Sequence, residues 1–427
     1  MFAAWDERVA DVLYLVHRIP FPPNKGDKVR SYNLLRCLAA RHRVHLATFA
    51  EPHDRRYADG IRPLCASLFV APLDARVASL RSLRGLIRRE ALTLGYYRDA
   101  AMSRFVRETV AKHAIEDAVV FSSTMMQYVA DVPHLEVLLD CVDVDSAKWT
   151  QYAQMRPWPL SALWRREGRR LLEFETKSAG RAARTYFVTN AEAQLFARLA
   201  PERLSRIATV CNGVDAEFFS PVHRFASPFA PGHRSIVFTG AMDYWPNIDA
   251  ARWFVTDVLP ALRTACPGVQ FHIVGMRPTA TVRALAAPDV LVSGTVADVR
   301  PYLQHADVVV APLRVARGVQ NKILEAMAMG RPVVASNAAG SGVDATPGRH
   351  LEFAADAADF VGRIGALLRD PAAGAAMGGA ARERIVEHYR WDRNLAEIVE
   401  RIGASRDRST PPRTGANVPG ESKYVET

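Results

Sequence analysis

The chain has 427 residues, more than one ordinary hydrophobic core accommodates, so two domains of about 200 residues each are expected. Its 49% hydrophobic content suits large α/β cores, and a net charge of +10 points to an anionic partner: nucleic acid, an anionic membrane surface or a phosphorylated substrate. The singly scattered Cys37, Cys65, Cys141, Cys211 and Cys266 argue against a disulfide framework or a zinc site, and no uncharged apolar run is long enough to cross a bilayer.

Asp6 and Glu7 precede the first apolar run, so neither a secretion signal nor an integral segment is expected at this end, and a cytoplasmic protein is. Val12 to Val16 reads as a strand, HRIPFPPNKGDKVR as a loop, the segment through Leu34, Leu35 and Leu38 as an amphipathic helix, and Val44 to Phe49 as a second strand. This βαβ opening is Rossmann-like, yet the loop lacks G-x-G-x-x-G, which makes a dehydrogenase a poor reading. Residues 76 to 113 form a basic amphipathic helical region, with Arg76, Arg84, Arg88 and Arg89 interleaved among Leu80, Leu83, Leu86 and Ile87. Such a region reads either as a surface for anionic lipid or as an internal helix with a solvated basic face.

Strands follow at Val119 to Ser122 and Val137 to Asp140, and then a helix that Asp145 or Ser146 is expected to cap. Asp143-Val-Asp145 matches a D-x-D string, a weak sign of a divalent cation. A second basic helix runs from about Pro159 to Arg184, with Trp158 and Trp164 beside its arginines. Thr185 to Thr189 and Ile207 to Cys211 read as the last strands of the first domain, and Asn212-Gly213-Val214-Asp215 as a turn. Three prolines and a glycine mark 220–234 as a linker. In the second domain, Ser235 to Gly240 is a strand, Asp249 to Ala265 a helix, Val269 to Gly275 a strand, and Val290 to Gly294 another strand ending before Val296. Helices are expected near 356 to 369 and 371 to 388, then a final segment Trp391 to Ile402, and a tail from Ala404 too poor in large apolar residues to fold.

Residues 307–336, DVVVAPLRVARGVQNKILEAMAMGRPVVAS, organise the rest. Val308 to Ala311 is a buried strand stopped by Pro312, and Val319 to Met329 carries apolar residues at helical spacing with Gly330 and Pro332 as the stop. The intervening loop is expected to bring Arg314, Arg317, Gly318 and free helix N–H groups together on a polyanion, with Lys322 close by. Glu325, almost two turns in, is placed to accept hydrogen bonds from ribose hydroxyls, so the pattern reads as nucleotide binding.

LEAMAMGRPVVAS, Gly318, Lys322 and the NGVD segment resemble the retaining glycosyltransferases of family 4 over residues 10 to 403. SAKWTQYA, PFPPNKGDKVRSYNLL and APLRVARGVQNKILEAMAMGRPVVAS resemble, within that family, the sugar transferases that accompany bacterial PEP-CTERM/exosortase systems. The resemblance implies a GT-B fold: two Rossmann-like, doubly wound α/β domains facing a cleft, with a C-terminal helix crossing back. The implied division is 1–219 for the acceptor domain, 220–234 for the linker, 235–388 for the nucleotide-sugar domain, 389–403 for the crossover helix and 404–427 for a disordered tail. It implies transfer of a sugar, with retention, from a nucleotide-diphospho-sugar donor to a glycan or lipid-linked acceptor in exopolysaccharide assembly, with no metal and no cofactor.

Carried over residue by residue, the resemblance gives Arg317 and Lys322 as the groups that stabilise the leaving diphosphate. Gly318, Glu325, Asn321, Gly240, Val296, Gly26 and Asp27 become donor-binding positions, with Asn24, Lys25 and Lys28 in the same first loop over the phosphates. The family's first glutamate is Arg317 here, and its usual lysine after Gly240 is replaced by Tyr244-Trp245-Pro246-Asn247. A GT-B scaffold that has lost its chemistry, and a GT-B nucleotide-sugar epimerase, are the rival readings. Nucleic-acid binding lacks any recognisable module, and neither His17 nor His134 can be assigned a catalytic role from sequence.

Overall fold

The first sheet is built from short runs of β-branched and aliphatic residues buried on both faces, the pattern required of parallel strands covered by helices. Its seven strands are β1 (Asp11–Val16), β2 (Arg43–Ala50), β3 (Ser67–Pro72), β4 (Asp117–Phe121), β5 (Glu136–Val142), β6 (Arg184–Phe187) and β7 (Ile207–Thr209), in spatial order 3-2-1-4-5-6-7. The second sheet contains β8 (Arg234–Thr239), β9 (Val269–Val274), β10 (Val290–Gly294), β11 (Val308–Ala311), β12 (Val333–Ser336) and β13 (Glu352–Ala354), in order 10-9-8-11-12-13. These pairings come from a computed structural model that describes residues 9–132, 134–155 and 157–403. The tail expected to lack order, 404–427, lies outside the described residues.

All pairings within both sheets are parallel, so each strand must be followed by a crossover, and both sheets are doubly wound. Strand order reverses at β1/β4 in the first sheet and at β8/β11 in the second. Ligand crevices in such sheets form beyond the carboxyl ends of the strands at these reversals. The loops after β1, β8 and β11 are the ones to search.

Helices α1 (Gly26–Ala39), α2 (Ala75–Ser82), α3 (Arg84–Ile87), α4 (Leu92–Tyr96), α5 (Ala100–His113), α6 (Asp145–Ala153), α7 (Leu160–Arg181) and α8 (Asn190–Leu199) dress the first sheet. The basic region 76–113 is therefore four helices, broken where Arg89 takes a positive φ of 56° and where Asp99 caps α5. β3 has no counterpart among the predicted elements, because its half-buried residues at the sheet edge carry no strong alternation. The helix expected from Asp249 begins earlier, at Trp245, with Pro246 in a first turn that needs no N–H from it. Neither Asp145 nor Ser146 caps α6 with its side chain. The Val144 N–H donates to Glu192 Oε2 at 2.8 Å and the Ser146 N–H to Glu175 Oε1 at 3.2 Å, so the first turn is satisfied from α8 and α7.

The chain passes between the domains twice, side by side. Asn212-Gly213-Val214 leaves the first domain, and the Val214 N–H donates to the Tyr389 carbonyl at 2.8 Å on the returning segment. A Cβ on Gly213 would stand 2.8 Å from both Tyr389 O and Trp391 N, so only glycine allows the two segments to touch. The return is two short helices, Trp391–Asn394 and Ala396–Glu400, whose Trp391, Leu395 and Ile398 share the first-domain core with Leu34 and Leu38 of α1. Residues 214–229 already lie on the second domain, with Val214, Phe219 and Phe229 against its core.

Candidate active site

Helix Asn321–Ala328 turns its apolar face, Ile323, Leu324, Met327 and Ala328, into the second core, leaving Lys322 and Glu325 half-buried on its other side. Gly318 has φ +64°, a left-handed turn that delays the helix start from the expected Val319 to Asn321. No side chain caps the helix N-terminus, so its first N–H groups keep capacity for an anion.

Lys322 Nζ donates to Asn247 Oδ1 at 2.6 Å and stands 4.4 Å from the centre of the Phe238 ring. Among the described residues, no carboxylate lies within ion-pair distance of it. Gly240, at the end of β8, makes room: a Cβ there would stand 3.1 Å from Nζ and 2.8 Å from Asn247 Nδ2. Gly275, with φ +153°, packs so close that a Cβ on it would overlap the Gly240 carbonyl, which fixes the floor of the site. Burial lowers the Lys322 ammonium to about 7, against an opposing pull from Glu325, and burial raises Glu325 to about 7 against the pull of Lys322. A desolvated lysine held by an amide and a ring, beside a glycine floor and an uncapped helix, can receive a phosphate. Asn247 is a member of this site that the sequence reading placed only in a substituted loop.

The expected convergence of arginines is not what the structure contains. Arg314 turns away to pair with Asp249, its Nε donating at 2.9 Å. Arg317 reaches across the cleft, donating from Nε and Nη2 to Glu192 of α8 at 3.0 and 3.1 Å. Glu192 is raised by burial and by the Asp143 charge, while the Val144 N–H and Arg317 lower it. Gly318 also faces the first domain, since a Cβ on it would stand 2.5 Å from Asp143 Oδ1. The loop thus sends its cations to carboxylates, and Lys322 is the one left facing the site.

On the opposite wall, the predicted first loop is largely the first turn of α1, because α1 begins at Gly26. Lys28 is buried and donates to Asp54 at 2.8 Å, away from the cleft, which corrects its expected place over the phosphates. Gly26 does face helix Asn321–Ala328: a Cβ on it would lie 4.0 Å from Asn321 Nδ2. Asp27 accepts from Arg18 at 2.7 Å and lies 3.5 Å from His17 Nε2. Burial alone would raise the Asp27 carboxyl, but His17 and Arg18 hold it well below the usual carboxylate range. The His17 ring lies parallel to Phe121 at 5.8 Å, placing it at the carboxyl ends of β1 and β4, whereas His134 precedes β5 at the other edge.

A buried chain of polar groups joins the walls. Arg30 clasps Asp140 from Nε and Nη2 at 2.8 and 3.1 Å and donates from Nη1 to Asn212 Oδ1 at 3.0 Å. Asn212 Nδ2 donates to Asn321 Oδ1 at 3.2 Å, so Asn321 ties helix Asn321–Ala328 to the domain junction. Val296, just past β10, packs against the second core. In the D-x-D string, Lys148 Nζ bridges Asp143 Oδ2 and Asp145 Oδ1 at 2.9 and 3.0 Å, and the two carboxylates hold its ammonium well above the usual lysine range despite burial. Across the cleft mouth, the Tyr152 hydroxyl lies 3.3 Å from that of Tyr244, and its ring meets Trp245 edge-on at 5.5 Å. At the far edge of the first sheet, Asp11, His45 and His113 gather within 4.8 Å. His45 there already contacts Ser67 and Asp11, and Arg43 takes the other Asp11 oxygen.

Residues 233–370 match the family model described as glycosyl transferases group 1. No curated protein matches the sequence. Three solved structures illustrate the likeness. Sucrose-phosphate synthase from Thermosynechococcus elongatus is 18% identical, with 94% of this chain and 100% of that one covered at a TM-score of 0.70. Anabaena Alr3699/HepE, in complex with UDP and glucose, is 14% identical over 92% and 99% of the two chains at 0.66. WaaG, a glycosyltransferase involved in lipopolysaccharide biosynthesis, is 15% identical over 92% and 100% at 0.65. The fold is GT-B, and residues 233–370 within it are similar to a group 1 glycosyltransferase domain.

Proposed function

We propose that the protein is a retaining glycosyltransferase of family 4 that moves a sugar from a nucleotide-diphospho-sugar to a glycan or lipid-linked acceptor. The observation that carries this is the unpaired, desolvated Lys322 beside Gly240 at the N-terminus of helix Asn321–Ala328, with Glu325 one turn further on. As the glycosidic bond breaks, its electron pair leaves with the diphosphate, and a charge already stripped of water stabilises that developing anion more than the ground state. Glu325 is assigned to ribose hydroxyls, and Gly26, facing Asn321 across the cleft, to the donor. We take the chain up to Asn212 as the acceptor half and the chain from Val214 to His388, whose first residues already pack on the second core, as the donor half.

The motif resemblance to PEP-CTERM-associated transferases supports a place in bacterial exopolysaccharide assembly, at the cytoplasmic face of the inner membrane. Because a protein with the same fold was solved with UDP and glucose, a UDP-sugar is the first donor to try.

Thermal stabilisation by UDP, GDP, ADP and CMP, each with and without Mg²⁺, tests the reading. At a ligand concentration of about 100 Kd the folded state gains about 2.7 kcal/mol. One nucleoside diphosphate should stabilise the parent without metal and fail to stabilise Lys322→Ala. Indifference to all four would favour a scaffold that has lost the chemistry.

A further inference from the structure

We infer that α2, α3 and the N-terminal turn of α7 form a docking surface for an anionic lipid bilayer. This stands on the first domain alone and does not depend on the donor reading of the cleft.

Three charged side chains of the segment bond inward, to backbone groups. Arg81 donates from Nε and Nη2 to the carbonyls of Gly95 and Tyr96 at 3.0 and 2.7 Å. Arg166 of α7 donates to the carbonyls of Gly85 and Glu90 at 2.9 and 3.2 Å, and Glu167 accepts from the Leu92 and Thr93 N–H groups at 2.6 and 2.9 Å. These bonds pin α3 and α4 rigidly on α7, with Ala91, Leu94 and Leu171 as the small core between them.

The apolar side chains point the other way. Ile87 of α3 is 88% exposed and Leu80 of α2 71%, Val77, Leu83 and Leu86 in and between these helices are exposed too, and Trp158, just before α7, is 79% exposed. Scattered exposed leucines would not be concentrated on one pinned segment.

The charge selects the occupant. Arg76, Arg84, Arg88, Arg89, Arg165 and Arg169 are exposed among these residues and make no ion pair with any described residue. Unpaired guanidiniums around a rigid apolar tip, with a tryptophan beside it, match lipid phosphates around an acyl boundary. The surface also adjoins the cleft. Trp164, one turn beyond Leu160, meets the ring of Tyr152, whose hydroxyl touches Tyr244 across the cleft mouth. Docking there brings the mouth of the cleft to the bilayer.

Sedimentation of the full chain with phosphatidylglycerol vesicles, against phosphatidylcholine vesicles, tests this. We expect partition to be at least about tenfold stronger on the anionic vesicles and to weaken as salt is added. Leu80→Ser with Ile87→Ser should cut it about tenfold in low and high salt alike, whereas Arg84→Glu with Arg88→Glu should erase the preference for anionic lipid. All four positions are on the surface, so both variants should melt with the parent and keep its response to nucleoside diphosphates. Equal partition into the two vesicles, or partition unchanged in both variants, would overturn the inference. So would failure to bind vesicles combined with a concentration-dependent dimer that Ile87→Ser abolishes, which would assign the face to a second copy of the chain.

Discussion

On the first-domain wall of the cleft, several charged groups hold one another: Asp27 with Arg18, Asp143 and Asp145 with Lys148, Arg30 with Asp140. On the second-domain wall, Lys322 rests on an amide oxygen and an aromatic face, and no carboxylate of the described residues lies within ion-pair distance of it. Paired charges set shape, since each partner fixes the other's position and neutralises it. A cation left desolvated and unpaired is held in a state that a phosphate completes. The contrast separates residues that build the cleft from a residue that acts in it.

The largest test of that division lies on the first wall. Arg30→Ala strands a fully buried Asp140 and the Asn212 amide, and should cost about 3–5 kcal/mol of stability by urea denaturation. A loss below 1 kcal/mol, on the order of a surface pair, would erase the distinction. Lys322→Ala should do the reverse, lowering kcat/KM by about 10²–10³ while the melting temperature stays close to that of the parent. Glu325→Ala should raise the donor KM by about tenfold, the worth of hydrogen bonds to hydroxyls, with a smaller change in kcat.

The pH dependence sharpens the same point. With Lys322 at about 7, donor affinity should weaken by up to about tenfold per pH unit above 7, and calorimetry in buffers of different ionisation enthalpy should register proton uptake on binding. Folded Lys322 lies below its ordinary 10.5, so the unfolded chain binds the extra proton and this group's contribution to stability rises from about pH 7 toward 10.5. Glu325 lies above its ordinary 4.5, so its contribution is greatest at low pH and is lost as pH rises to about 7. Arg314→Ala should have the smallest effect, under about 1 kcal/mol and with donor affinity unchanged, because Arg314 serves an exposed pair with Asp249.

The strand of Val308 to Ala311, the glycine turn after it and the helix of Lys322 and Glu325 were legible because each depends on local chemistry: β-branching, a proline stop, a positive φ, helical spacing. The edge strand β3 and the early start at Trp245 were not, since sheet-edge pairing and a proline-led first turn leave little periodic trace. The partners of Arg314, Arg317 and Lys28 were illegible for a different reason. Asp249, Glu192 and Asp54 are 65, 125 and 26 residues away, and only the fold brings them together. Sequence patterning marked the cations without revealing which of them remained free.

The two chain crossings, pressed together at Gly213 and Tyr389, give the molecule a hinge with two leaves. A single connecting strand lets a domain swivel in any direction, whereas two in contact restrict it to opening and shutting about their common line. A protease that severs the chain at 212–214 leaves the second crossing whole, so the halves of the cleft stay joined, and separating them takes two cuts.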